Sequence, residues 1–133
     1  EDNEPIDPMI YMITAALGFV ALENALFIFS PIQAHDLAQS FITGNMRFIG
    51  ASLLHVVSSG LLGMGLSFSF YQSRIQKISK VTLAMLGAIG FHVLFNLSII
   101  KLDNFGTSLS LSAVWLGAIL LLLAFERAKS IAR

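Results

Sequence analysis

Four long apolar runs separated by short polar ones set the pattern of this chain. The first extends from about Met9 to Phe29, the second from about Phe48 to Tyr71. The third extends from about Val81 to Ile100, and the fourth, the shortest, from about Leu109 to Phe125. Each is near the ~20 helical residues (range ~17–25) that cross a bilayer core. A soluble bundle would keep a polar outer face on its helices, and these runs hold too few charges to make one. The pattern predicts an all-α fold, a polytopic bundle of about four transmembrane helices forming one domain over residues 1–133. The chain starts at Glu1 rather than Met and shows no signal peptide, so it is expected to be the C-terminal part of a longer protein.

The polar punctuation suggests where these helices begin and end. Asp7-Pro8 reads as an N-cap followed by proline at the first helical position. Ser30-Pro31 is expected to stop the first helix. The polar stretch from Gln33 to Asn45 carries Gly44-Asn45, a turn signal, and can alternatively form a short interfacial helix. Residues Gln72 to Lys80 and Lys101 to Ser108, the latter with Asp103-Asn104 and Gly106, read as links. No internal repeat is evident. Gly50, Gly60, Gly63 and Gly65 in the second run, and Gly87 and Gly90 in the third, are expected to let helices approach closely.

Composition supports the membrane reading. The 133 residues are 56% hydrophobic and 12% charged, with a mean hydropathy of +0.79. A soluble domain carries about 25% charge. Zero net charge leaves no basic patch for nucleic acid, and the absence of cysteine excludes disulfides and thiol catalysis. Arg74, Lys77 and Lys80 lie in one link and Arg127, Lys129 and Arg133 in the C-terminal tail, against only Arg47 and Lys101 elsewhere. That asymmetry predicts a cytoplasmic C-terminus.

The candidate chemistry lies inside the apolar runs. Glu23 interrupts the first run, His55 the second and His92 the third. An ionisable group at such depth costs roughly 2.5–3.5 kcal/mol on insertion scales and is a functional-site hypothesis by default. Counted from the outer ends at ~1.5 Å per residue, all three fall roughly 10–14 Å below the outer surface. The faces agree with a shared site. Ser52, His55, Ser59 and Gly63 form a small polar stripe, and His92 and Asn96 are one turn apart. Ala16, Phe19, Glu23 and Phe27 share a face, with Asn24 beside it as a structural hydrogen-bonder. Ser58 and Ser59 read as packing residues, Trp115 as an interface or lipid-facing residue and His35 as a solvated loop residue.

One carboxylate and two histidines match a catalytic zinc set with a fourth position left for water. Such a metal would be held by Glu23, His55 and His92, with Asn96 donating to an oxyanion. Without metal, Glu23 can still act as a general base. Both remain open at this point.

These residues resemble a known family. Glu4-Pro5-Ile6-Asp7 with Tyr11, then Gly18 to Asn24, is similar to the opening of the core of PrsW-type membrane proteases. Arg47 with His55, followed by Gly60 and Gly63, resembles that family's next element, and His92 to Asn96 resembles its last. The wider superfamily includes the CAAX prenyl proteases of Abi type and a scaffold subunit of gamma-secretase. Its F-x-x-x-E and H-x-x-x-N patterns are met by Phe19 to Glu23 and His92 to Asn96. The resemblance spans about Glu4 to Asn96 and leaves the fourth run without a motif.

The resemblance implies a multi-pass endopeptidase of a bacterial or archaeal cytoplasmic membrane, acting on a membrane-anchored protein substrate in regulated proteolysis. There are departures from the family pattern. Pro8 and Met12 stand where the family has glycines. The family's Glu-Glu pair followed by Lys or Arg has no counterpart, since Glu1-Asp2 leads into Pro5. Either the pair lies upstream or the protein is a degenerate homologue, and this chain alone is then expected to be inactive. Two other functions remain: a non-catalytic scaffold held together by the same polar residues, and a proton or ion transporter. Against the transporter, the inner half of every run lacks ionisable residues.

Overall fold

The computed structural model describes residues 4–33, 36–101 and 104–131; the side chains of Ser30, Pro31, Thr43, Met46, Arg47, Ile100, Lys101, Asn104 and Phe105 are outside the description. Among the described residues there is no strand, and four helical segments are long and apolar enough to cross a membrane. The order is α1 (Asp7–Gln33), α2 (Leu37–Arg47), a wide π-turn (Phe48–Ser52), α3 (Leu53–Ser67), α4 (Arg74–Lys101) and α5 (Asn104–Lys129). The expected His35 and Asp103 positions lie outside the described residues.

The apolar runs became the helices, but their ends moved. Asp7 is already helical rather than capping, and its carboxylate instead accepts from the Glu4 backbone N–H at 3.0 Å. Ser30-Pro31 does not stop α1, which continues to Gln33. A proline in the last turn removes one donor only, and lipid-embedded helices tolerate that loss. The Gly44-Asn45 pair makes no turn; it lies within α2, the interfacial-helix alternative. That helix starts where Asp36 accepts a hydrogen bond from Gln39 N at 2.8 Å.

The second run stops at Ser67, four residues short of the expected Tyr71. Ser69 folds back there, its hydroxyl donating to the Gly65 carbonyl at 2.6 Å. The expected link from Gln72 to Lys80 is mostly the first two turns of α4. Its start is a reciprocal cap: Ser73 N donates to Gln76 Oε1 at 3.3 Å and Gln76 N to Ser73 Oγ at 3.5 Å. Likewise α5 begins at Asn104 and ends at Lys129, so the fourth run is not the short one and most of its expected link is helical.

Helix α3 is the centre of the bundle, packed by α1, α4 and α5. Its glycines explain this. A Cβ at Gly63 would sit 2.8 Å from Met9 Cα of α1, and one at Gly65 would sit 2.5 Å from Ala84 Cβ of α4. Gly90 differs from expectation, for nothing lies within 4 Å of its would-be Cβ. Two apolar clusters close the bundle. Met9, Leu121, Ala124 and Ala128 pack where α1 begins and α3 and α5 end. Leu54, Val57, Phe95 and Val114 pack where α3 and α5 begin and α4 ends. Large apolar side chains such as Leu22, Leu26, Leu83, Leu94 and Leu122 point outward, as lipid contact requires, and Trp115 is exposed among them.

Candidate active site

Antiparallel packing brings the late part of α1, the early part of α3 and the late part of α4 to one level, beside the second apolar cluster. Each contributes one ionisable residue there. His55 Nε2 lies 3.1 Å from Glu23 Oε2. With the carboxylate ionised, the imidazole N–H donates to it. The His92 ring sits edge-on to His55, with centroids 4.9 Å apart at 73°. The Phe19 ring tilts over His55 with centroids 5.3 Å apart. His55 is therefore the middle of a carboxylate–imidazole–imidazole series, held on its remaining side by an aromatic ring.

The side chains of His55 and Glu23 are 17% and 30% exposed. They are thus shielded from most of their surroundings without being sealed in. Ion pairs and hydrogen bonds strengthen in such a low-dielectric setting.

Neighbouring contacts fix the α1–α3 register at this level. Asn24 Nδ2 donates to Ser52 Oγ at 2.8 Å. Ser52 is the last residue of the π-turn. A π-turn inserts one residue into the helical ladder and often marks a functional site. Sequence reasoning identified Asn24 as a structural donor but not its partner. The small residues Gly50-Ala51-Ser52 were the available signal for the turn.

Asn96 stands apart from the contact pair. It is exposed, one turn beyond His92 on α4, and no hydrogen bond joins it to Glu23 or His55 among the described residues. Arg47 precedes the π-turn, and its side chain is outside the description.

The donor types suit zinc, whose ligands are imidazole nitrogen, thiolate and carboxylate oxygen. The arrangement is less complete. Among the described residues, no group of three His, Cys, Asp or Glu side chains converges on a point that a metal ion could occupy. Glu23 and His55 face each other directly, and His92 meets His55 through its ring rather than joining a common centre.

The sequence model of the PrsW family of intramembrane metalloproteases matches residues 1–125. The match runs past the motifs, which end at Asn96, and over most of α5. No curated protein and no solved structure matches the chain.

Proposed function

The chain belongs to the PrsW family of intramembrane metalloproteases, and on that premise we propose that it hydrolyses a peptide bond of a membrane-anchored protein near the extracytoplasmic face, in regulated proteolysis. The observation that carries this reading is the 3.1 Å contact of Glu23 with His55, backed by the edge of His92, at membrane depth. A carboxylate within hydrogen-bond reach of an imidazole can be held in one orientation and can accept and return a proton.

In this reaction Glu23 takes a proton from water as the water oxygen adds to the scissile carbonyl carbon. The C–N bond then breaks as the proton passes to the leaving amine. His55 orients the carboxylate, and His92 and Phe19 keep the His55 ring in place. Asn96 is assigned to the oxyanion, as an amide donor one turn from His92.

Glu23, His55 and His92 are also the residues that would hold a divalent metal, zinc by donor type. When bound, such a metal supplies Lewis-acid polarisation of a peptide carbonyl and of water. Glu23 is then a ligand and not the base, so metal content decides between the two chemistries.

The orientation that goes with this function puts the α3–α4 connection and the C-terminus in the cytoplasm. Six basic residues lie at that end against two at the other, which supports it. The site level then lies toward the outer surface.

The test compares host membranes containing the full-length wild-type protein with membranes containing its His92→Ala variant. New protein N-termini are read by mass spectrometry. Juxtamembrane termini present with wild type should fall by about 10²-fold with the variant, the cost of letting the His55–Glu23 pair shift by about an ångström. Equal termini in both, with the variant folded and inserted, would contradict the proposal.

A further inference from the structure

Beside the candidate site, α3 and α4 leave a groove of about 340 Å³, lined by Ser58, Ser59 and Leu62 from one helix and Ala88, Ile89 and His92 from the other. His92 belongs to both the groove and the site, so the two are continuous. Its lining is largely apolar, with Ser59 and His92 at one end and the Ser58 hydroxyl oxygen itself buried. Ile89 on its rim is exposed, so the groove opens sideways toward lipid.

Ser58 is the unusual member. It is only 8% exposed, and its hydroxyl has no hydrogen-bond partner among the described residues. A helical serine or threonine normally escapes this cost by donating to the carbonyl four residues back. Thr14, Ser40, Ser110 and Ser112 all do so in this protein. Ser58 does not, although an alanine there would spare the chain an unpaired buried hydroxyl.

A protease acts on extended peptide, and a substrate helix unwound inside a bilayer exposes carbonyls that need donors. We infer that the α3–α4 groove is the subsite holding the substrate segment next to the scissile bond, and that the Ser58 hydroxyl donates to a main-chain carbonyl of that unwound segment. This rests on the proteolytic reading above and adds where the substrate's main chain is held, with an apolar side chain facing the groove. Serine has three staggered χ1 wells, so its hydroxyl can turn toward a carbonyl arriving in the groove. Leu62, Ala88 and Ile89 line the space for the apolar side chain.

The probe is a synthetic single-span peptide of leucine and alanine, flanked by lysines and carrying one benzophenone side chain at the depth of the site. It is photo-crosslinked in detergent to the full-length protein bearing Glu23→Gln, so that binding is read without turnover, and the adducts are mapped by mass spectrometry. Adducts are expected on Leu62, Ala88 or Ile89. Ala88→Phe, which fills the groove, should cut labelling at least about fivefold, a moderate fraction of what a filled apolar pocket can exclude. Ser58→Ala should cut it about 3- to 10-fold, the loss of one neutral hydrogen bond, and Ser58→Thr should restore it. The Ser58→Ala protein should melt no earlier than its parent, because no partner is lost. Adducts on the outward faces of α1 or α5, or labelling unchanged by both Ser58→Ala and Ala88→Phe, would overturn the inference. So would early melting of Ser58→Ala, which would make the hydroxyl structural. Groove labelling that persists while the wild type cleaves nothing would refute the protease reading, and with it the place beside a scissile bond, while supporting the groove as a binding site for an unwound membrane segment.

Discussion

Replacing Gly63 with alanine tests the helix crossing that positions Glu23 against His55. The new methyl would lie 2.8 Å from Met9 Cα, 3.1 Å from the Pro8 carbonyl oxygen and 3.3 Å from Met9 N. All three are backbone atoms, so no side-chain rotation relieves the clash. Carbon atoms sit comfortably about 3.5–4.0 Å apart, so α1 must retreat from α3 by about 0.7–1.2 Å. Overpacking of that kind costs typically about 1–3 kcal/mol. Met9 is also buried in the apolar cluster with Leu121, Ala124 and Ala128, so its displacement disturbs α5 as well. Gly90→Ala is the matched control. Nothing lies within 4 Å of its would-be methyl, and helix propensity alone favours alanine by about 0.8–1.0 kcal/mol. Equilibrium denaturation in mixed micelles should therefore show Gly63→Ala less stable by about 1–3 kcal/mol and Gly90→Ala unchanged or more stable. Equal stability of Gly63→Ala and wild type would refute the close crossing of α1 and α3.

Asn24→Ala should destabilise the bundle by about 0.6 kcal/mol, the average measured for interhelical hydrogen bonds in membranes, and by at most about 1.7, and Ser52→Ala should add little on top of it because both remove the Asn24–Ser52 bond. The same micelle denaturation, run as a double-mutant cycle, reads the coupling. Ser73→Ala should cost about 0.5–2 kcal/mol by removing a cap. It should also speed amide hydrogen exchange in the first turn of α4 but not at His92, whereas unaltered exchange there would place the start of α4 nearer Val81.

The helices and the three ionisable residues were legible because each lies where a simple physical cost makes it conspicuous. Apolar runs have no stable place in water, and Glu23, His55 and His92 are conspicuous because charge is expensive in lipid. Counting rise per residue placed them at one level, and α1, α3 and α4 do bring them to one level. Helix ends were less legible. Hydropathy reads Gln72 to Lys80 as a link because its residues are polar, yet the Ser73–Gln76 reciprocal cap lets polar residues extend α4 beyond the apolar core. The Pro31 position shows the same limit, since a proline near a helix end breaks only one bond. The π-turn before α3 had no signal beyond a cluster of small residues. Ser58 was read as packing, because its missing partner emerges only when every nearby donor and acceptor is placed in space. Asn96 fitted its motif by spacing, but spacing does not fix what an exposed side chain touches.

The central claim is that Glu23, His55 and His92 act as one site. It is tested most directly by metal analysis of the full-length protein purified in detergent, wild type beside a His55→Ala, His92→Ala double variant, with cleavage followed in both. Glu23, His55 and His92 acting together predict that cleavage by the wild type is lost in the double variant, and that any metal carried by the wild type is lost with it; a metal-free wild type that cleaves assigns Glu23 as the base. Equal metal in both and undiminished cleavage by the double variant would contradict it.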